Sequence, residues 1–363
     1  MQNAPKALFS LILIFMALGA IGLIVSLVNG YGKEAVRDSA IWFYCAFVIV
    51  GYRFGRLPHF ADVFWTRMQV VWMFAMLWTV ANFLTDYKLC KMGPLVPGRG
   101  IPLLSNSGSE MYEHSYLAMV LIMMLPEKIR SLRMRKVWYW IAMVVGVLDL
   151  ATAWIRAPKV AAIVATGVGV IASAGGIPTV WPASRVFGTI VLLFTLLVGG
   201  IVILEPELLA KHLHLLRFTE ISPKRSGTTE FWRRIWWEMI HDAVQKENPM
   251  MGLGFGQSLG LYNPFITGDE RYGPAAVRSP HNINMTVYAR MGILGALCWL
   301  GILFLTFGSL YRHVRLAGNS WGHYTSERRK EITFWLMMLT ATLVNSSLGV
   351  LMEGPVLGIW FWF

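Results

Sequence analysis

The chain of 363 residues is apolar and basic. Hydrophobic residues make up 56% of it and charged residues only 14%, against the roughly 25% charged that is typical of a soluble domain. This composition excludes a soluble globular protein and indicates a polytopic membrane protein. Nucleic acid is a poor candidate partner for the net charge of +12, because no soluble basic domain or aromatic RNA-binding motif accompanies the charge.

Windows of about 20 apolar residues, long enough to cross a hydrocarbon core of about 30 Å, follow one another along the chain. They predict an all-α polytopic membrane protein with nine or ten transmembrane helices. The first nine windows are 7–29, 39–56, 62–85, 111–126, 137–156, 159–174, 185–204, 281–311 and 332–352. The tenth, 354–363, is too short to span, so it is either cut short or interfacial. The first is interpreted as an uncleaved anchor, because it lacks a small-residue cleavage site.

The distribution of Lys and Arg residues predicts the orientation. With the N-terminus in the cytoplasm, fifteen of the 32 lie inside and seven lie in short outer loops, in agreement with the positive-inside rule. The other ten lie in or just after the segment 205–280, and long segments translocate largely regardless of charge. The predicted regions are therefore N-terminal helices at 1–204, one long extracytoplasmic loop at 205–280 and C-terminal helices at 281–363.

The sequence contains no recognisable metal or nucleotide motif. There is no HExxH, GxxxxGK[ST] or EF-hand pattern and no carboxylate cluster, so neither a metal nor another cofactor is predicted. The cysteines, Cys45, Cys90 and Cys298, contain no CxxC pair and predict no disulfide framework.

The stretch TEFWRRIWWEMIHDAVQKE at 229–247 has apolar residues in pairs every four positions. This period predicts an amphipathic helix on the outer membrane surface that ends at the following Asn-Pro pair. Arg234 falls on its polar face one turn before Glu238, which favours an exposed i,i+4 pair. Arg233 falls at the edge of the apolar face, where it either binds phosphate oxygens or snorkels to lipid headgroups.

At the mouth of the eighth window, the sequence RSPHN places Arg278 and His281 beside an apolar helix. At 100° per residue, one stripe of the predicted helix contains His281, Met285, Tyr288, Gly292 and Gly295. Because glycines allow a neighbouring helix to approach closely, this stripe predicts that His281 points into the bundle. The alternative is that His281 merely ends the helix at the headgroup level.

A further basic site follows the fifth window. Asp149 and Arg156 fall on one side of that predicted helix, and Lys159 lies at the same mouth. Intramembrane ionisable groups are functional candidates by default, although Asp149 could simply pair with Arg156. The predicted outer face therefore carries three cationic sites, which are Arg156 with Lys159, Arg233, and Arg278 with His281.

The order of these motifs resembles the O-antigen ligase and polymerase superfamily. The chain has WR at 232–233, PMMGLGFG at 249–256 and RSPHN at 278–282. His281-Asn282 is then followed, after nine residues, by Gly292 and Gly295. The resemblance is most specific between Asp149 and Gly295.

This resemblance implies metal-independent glycan transfer from an undecaprenyl-diphosphate-linked donor to a lipid or glycolipid acceptor, at the outer face of the bacterial inner membrane. It implies catalytic roles for Arg156, Arg233 and His281. The arginines would grip the diphosphate, and the histidine would accept the acceptor's proton or hydrogen-bond the leaving phosphate. The further substrate-binding candidates are Arg278, Lys159, Asn282, Trp232 and Arg234.

Other functions remain open at this point. A polymerase that extends a lipid-linked glycan needs the same grip on the donor. A transporter of the same lipid should show interrupted spans in matching halves of an internal repeat, which the sequence lacks. A structural scaffold needs no outward arginines. The cationic loops 88–110 and 257–278 favour an anionic lipid acceptor, and hence a ligase, through electrostatic focusing.

The charge distribution makes a topology prediction that labelling can check. In a background without the native cysteines, single cysteines placed at Ser226 and Gly268 should react with a membrane-impermeant thiol reagent in intact cells with a permeable outer envelope. Protection of both positions until the inner membrane is disrupted would overturn the orientation.

Overall fold

The structure, a computed structural model, describes residues 3–57, 156–174, 229–264, 279–319, 326–349 and 361–362, with scattered positions between 60 and 146. In agreement with the predicted all-α class, these residues form helices and turns and contain no β-strand. The helices are α1 (Asn3–Val28), α2 (Gly32–Asp38), α3 (Ala40–Tyr44), α4 (Phe47–Phe54), α5 (Arg156–Ala174), α6 (Thr229–Glu247), α7 (Ile283–Asn319) and α8 (Ser326–Ser347). A 3₁₀ turn covers Leu259–Tyr262.

Two described helical segments, Lys6–Val28 and Ile283–Val314, are long and apolar enough to cross a membrane. The pair Gly32–Asp38 and Trp42–Phe54, bent by 48°, would make a third. The predicted windows 7–29, 159–174, 281–311 and 332–352 coincide with α1, α5, α7 and α8. Window 185–204 lies outside the described residues and three others are described only at scattered positions, so the count of nine or ten spans stays a prediction.

Two compact units divide the chain. Unit 1 comprises 1–55, 221–309 and 346–363, and unit 2 comprises 56–220 and 310–345. In unit 2, α5 contacts α8 at Gly169, where an added Cβ would lie 2.4 Å from the Met337 sulfur. In the same unit the Trp65 indole donates a buried hydrogen bond of 2.7 Å to the Glu331 carboxylate.

In unit 1, α1 and α7 run antiparallel. Phe15 contacts Trp299, with ring centroids 6.4 Å apart, and a Cβ on Gly301 would lie 3.0 Å from Leu11. This is the relative direction that the topology predicts for the first and eighth windows. Trp362 packs on the same two aromatic rings, at 6.2 Å from Phe15 and 5.7 Å from Trp299. Apart from 361–362, the tenth window lies outside the described residues, so its position relative to the membrane stays a prediction.

Helix α7 is broken at Gly292, whose backbone angles of φ 63° and ψ −158° are not helical. Across the break, the Trp299 indole donates a hydrogen bond of 2.9 Å to the Asn284 side chain, fifteen residues away. In an unbroken helix those residues would be separated by about 22 Å along the axis, so the two halves fold back against each other. We call 283–291 the arm and 293–319 the shaft. The shaft up to Val314 is still longer than the about 20 residues that a span needs.

The loop 249–256 crosses the chain at this break. Leu253 N donates to Ala289 O at 2.7 Å, and Ile293 N donates to Pro249 O at 2.9 Å. The loop therefore donates a hydrogen bond to a carbonyl near the end of the arm, and it accepts one from the first amide of the shaft. A Cβ on Gly252 would lie only 2.6 Å from Ala289 O and from Gly292 N, so the crossing depends on glycine on both sides.

This geometry corrects the predicted glycine stripe. Gly292 and Gly295 do not form a helical face for a neighbouring helix, because Gly292 is where the helix stops. The loop 249–256 itself contains three glycines, Gly252, Gly254 and Gly256. All three have positive φ values and lie against the chain itself: Gly252 at the break, Gly254 at Ser26 and Gly256 at Tyr31.

A buried ion pair anchors the arm close to the break at Gly292. Arg290 and Asp38, 4% and 6% exposed, are joined at 2.9 Å. The same guanidinium donates to the carbonyls of Gly254 and Gln257, and the Asp38 carboxylate accepts from Gly256 N. Because removing one partner of a buried pair leaves an uncompensated charge, this pair locks α2, the loop and the arm together.

The crossing predicts that Gly252→Ala is destabilising. The new Cβ would meet backbone atoms of the arm and hold alanine at a φ of +73°, a strain of about 1–3 kcal/mol before any clash. Thermal unfolding in detergent should show a clearly lower midpoint. Gly308→Ala is the matched control, since nothing lies within 4 Å of its Cβ position and alanine suits a helix. Equal midpoints for both variants would contradict the close crossing.

Candidate functional site

Helix α6 has the predicted bounds, Thr229–Glu247. Trp236, Ile240 and Val244 are fully buried and pack against the loop residue Leu253 and the arm residue Ala289. The apolar face of α6 is therefore held against protein. Its predicted position in the membrane plane stays a prediction.

The predicted pair on the polar face of α6 is confirmed. Arg234 Nε lies 3.6 Å from Glu238 Oε1, and the two side chains are 70% and 65% exposed. A pair exposed to this degree contributes little to stability. Its position gives Arg234 a partner on its own helix.

His281 is not in the helix, contrary to the stripe prediction. Helix α7 begins at Ile283, and the Asn282 side chain accepts hydrogen bonds from the backbone amides of Asn284 and Met285 at 2.9 and 3.3 Å. Asparagine is a preferred N-cap, and here it excludes the preceding residue from the helix. The structure thus gives Asn282 a capping contact.

The backbone of His281 is left-handed, with a φ of 56°, the one such non-glycine residue in the described chain. Histidine visits this region more often than most residues, yet strain of this kind persists only where surrounding contacts impose it. Two such contacts are present. Trp237 Nε1 donates to Pro280 O at 2.8 Å, and His281 N donates to Ser279 Oγ at 3.2 Å.

The imidazole of His281 lies against the first turns of α6. Its ring centroid is 6.1 Å from Trp232 and 6.2 Å from Trp236, both in edge-on geometry. The two indoles stack on each other at 5.8 Å. The predicted substrate-binding residue Trp232 thus packs directly against the imidazole of His281.

Arg233 lies beside this group and contacts the C-terminal end of α8. Its Nη1 donates to Leu348 O at 3.0 Å, and its guanidinium carbon is 5.5 Å from the centre of the Trp232 ring. A cation is favoured near the carbonyls at the end of a helix. Arg233 is therefore oriented by protein contacts, and both of its predicted roles, phosphate binding and lipid snorkelling, stay predictions.

Burial lowers the pKa of His281, and the charge of Arg233 lowers it further. Both effects disfavour the imidazolium and favour the neutral imidazole. A neutral imidazole can accept a proton, and a fixed guanidinium can stabilise an anion. The structure brings these two capacities together.

The other predicted residues stand as follows. Arg156 begins α5 and Lys159 lies half-buried in its first turn, where the neighbouring Pro158 suits a position whose amide has no helical partner. Both belong to unit 2. Asp149 and Arg278 lie outside the described residues. One shared cavity for Arg156, Arg233 and His281 therefore stays a prediction.

Two residues near the site were missed from the sequence. Arg290 was counted only as a charge, although an arginine within an apolar window signals a buried partner. Asn284 lies two residues after the His281-Asn282 pair. A polar amide in the first turn of an apolar helix signals a hydrogen-bond partner on a neighbouring segment. Among the described residues, no group of three His, Cys, Asp or Glu side chains could hold a metal ion.

Residues 139–300 match the family described as O-antigen ligase. The predicted resemblance to this superfamily is confirmed. The matched segment contains α5, α6, the loop 249–256, the arm and the start of the shaft, and every predicted site residue falls between its first and last positions. It supports ligase-like or polymerase-like glycan transfer by a membrane protein. No curated protein matches the chain.

The electrostatic effect of Arg233 on His281 predicts a titration result. NMR of protein with labelled histidine should place the pKa of His281 below its usual 6.5. Arg233→Gln should raise this pKa, because it removes a neighbouring positive charge, but should leave it below 6.5 because burial is the larger cause. The matched control is Lys246→Gln, on the exposed end of α6. An unchanged pKa in Arg233→Gln would exclude the coupling.

Proposed function

We propose that this protein transfers a glycan from a polyprenyl-diphosphate-linked donor to a lipid-anchored acceptor at the outer face of the plasma membrane, without a metal ion. The observation that carries the proposal is that a histidine with a strained backbone and an arginine held by Leu348 O both lie near the Trp232 ring, inside the segment that matches the O-antigen ligase family.

The proposed reaction is a single displacement at the anomeric carbon. The acceptor hydroxyl forms a new C–O bond to this carbon, while the bond to the diphosphate oxygen breaks and its electron pair leaves with the diphosphate. The proton of the hydroxyl goes to the imidazole of His281. Charge develops on the leaving diphosphate, where a preorganised cation is most effective.

Arg233 suits the role of that cation. A guanidinium has five N–H donors in a planar fork, so it matches phosphate oxygens in a way that an ammonium does not. The bond to Leu348 O and the neighbouring indole orient this fork. In the proposal Arg156 is the second arginine of the grip, and Lys159 and Arg278 add positive charge.

Two alternatives use the same residues. A polymerase would extend another lipid-linked glycan, and the family match supports this type as well. A transporter gains some support from the broken helix α7, because transporters bind substrates at discontinuous helices. We favour the ligase because the loops 88–110 and 257–278 carry Lys88, Lys91, Arg99, Arg271 and Arg278. Loss of the gene should leave long glycans on the carrier lipid for a ligase, but single-unit products for a polymerase.

The proposal predicts the behaviour of site variants in proteoliposomes supplied with a lipid-diphosphate glycan and an acceptor. His281→Gln removes the base, and Arg233→Gln and Arg233→Lys remove the fork; each should lower turnover by about 10²- to 10⁴-fold. Lys246→Gln, on the same helix, should retain activity within about twofold. A chelator should have no effect.

Either of two outcomes would contradict this assignment. One is full turnover in both His281→Gln and Arg233→Gln. The other is activity that a chelator abolishes and a divalent ion restores. Movement of donor across the bilayer without any transfer product would instead establish the transporter.

A further inference from the structure

One side chain, Asn284, joins three parts of unit 1. Its amide nitrogen donates a hydrogen bond of 3.0 Å to Ser347 Oγ at the end of α8. Its amide oxygen accepts the 2.9 Å bond from the Trp299 indole on the shaft. Asn284 itself lies in the first turn of the arm, three residues after His281. It therefore ties the arm to both the shaft and α8.

The contact with α8 reaches the candidate site directly. Ser347 binds Asn284, and the next residue, Leu348, offers the carbonyl that holds Arg233. The guanidinium of Arg233 lies over Trp232, whose ring contacts His281. These contacts form a closed ring that starts at the histidine, passes through Asn284 and the end of α8, and returns through α6.

The chemistry of the position calls for an amide. Asn284 uses a donor toward Ser347 and an acceptor toward Trp299 at the same time. Aspartate would keep the acceptor and lose the donor, and leucine would lose both. An apolar residue would be enough for helix packing alone. The amide of Asn284 instead links the start of the arm, next to His281, to the end of α8, which holds Arg233.

We propose that Asn284 is a positioning residue for the transfer reaction, which sets the distance between Arg233 and His281 by holding the end of α8 against the arm. This inference rests on the function proposed above. Arg233 can shift when Ser347 is released, because the carbonyl that orients its guanidinium belongs to the adjacent residue. Shifts of about 1 Å in a positioned group can cost about 100-fold in rate.

The test uses the Ser347 end of the contact, since Asn284→Leu also removes the bond to Trp299 and could unfold the protein. Ser347→Ala deletes only the hydroxyl that Asn284 binds, and Ser347→Thr retains a hydroxyl. Thr286→Val is the matched control, because it deletes a hydroxyl bond on the same arm, to Asn282 O at 3.0 Å, without touching α8.

We expect Ser347→Ala to lower kcat by about 10- to 100-fold with little change in KM, and Ser347→Thr to restore most of it. The pKa of His281 should rise in Ser347→Ala, since the guanidinium moves away. The double variant Arg233→Gln/Ser347→Ala should show no further rise beyond Arg233→Gln alone, because both changes act through one cation.

A purely structural role gives a different result. Ser347→Ala would then lower the unfolding midpoint as Thr286→Val does, and would leave both kcat and the pKa of His281 unchanged, which overturns the inference. Additive pKa changes in the double variant would overturn it as well. Failure of the proposed function is recognised separately, by full activity of Arg233→Gln and His281→Gln, while the titrations still report the contact.

Discussion

The architecture of unit 1 depends on the close backbone crossing between the loop 249–256 and the break at Gly292. Every backbone amide and carbonyl that a broken helix exposes must find a partner, above all near lipid. Here the loop supplies them, through Leu253 N on the arm side and Pro249 O on the shaft side. The approach is possible because neither Gly252 nor Gly292 carries a Cβ. Without this crossing the amides and carbonyls at the break would lose these partners.

The direction of the arm then determines where the candidate site lies. Helix α6 packs on the arm through Trp236 and Val244, so its N-terminal turns lie where the arm begins. The end of α8 reaches the same place through its contacts with Asn284 and Arg233. The site is thus assembled from three helix ends: the first turns of α6, the start of the arm and the C-terminal end of α8. Polar contacts hold them together. Such an assembly places an arginine at the carbonyl end of one helix and a histidine just before the start of another.

Sequence patterns predicted the parts of this arrangement that depend on local periodicity. The bounds of α6 followed from its apolar repeat, and the pairing of Arg234 with Glu238 followed from helical spacing. The fold-back of α7 could not be predicted in this way, because hydropathy shows that a segment is apolar but does not show in which direction it runs. The spacing of 100° per residue placed His281 in the helix, whereas the preference of asparagine for the N-cap makes Asn282 the residue before the first turn. The link from Asn284 to α8 joins residues 63 apart and has no local pattern at all.

The electrostatics of the pair also bear on when the proposed base would act. In the absence of donor, burial and the charge of Arg233 lower the pKa of His281, which favours the neutral imidazole and makes it a weaker base. A diphosphate bound at Arg233 brings negative charge, and an opposite charge nearby favours the imidazolium. Its arrival therefore offsets the field of the guanidinium and strengthens the base at the moment when an acceptor hydroxyl must lose its proton. Without Arg233 the same histidine would lack the group that is proposed to hold the diphosphate beside it, and a lone arginine could bind the diphosphate without providing a base for the acceptor's proton.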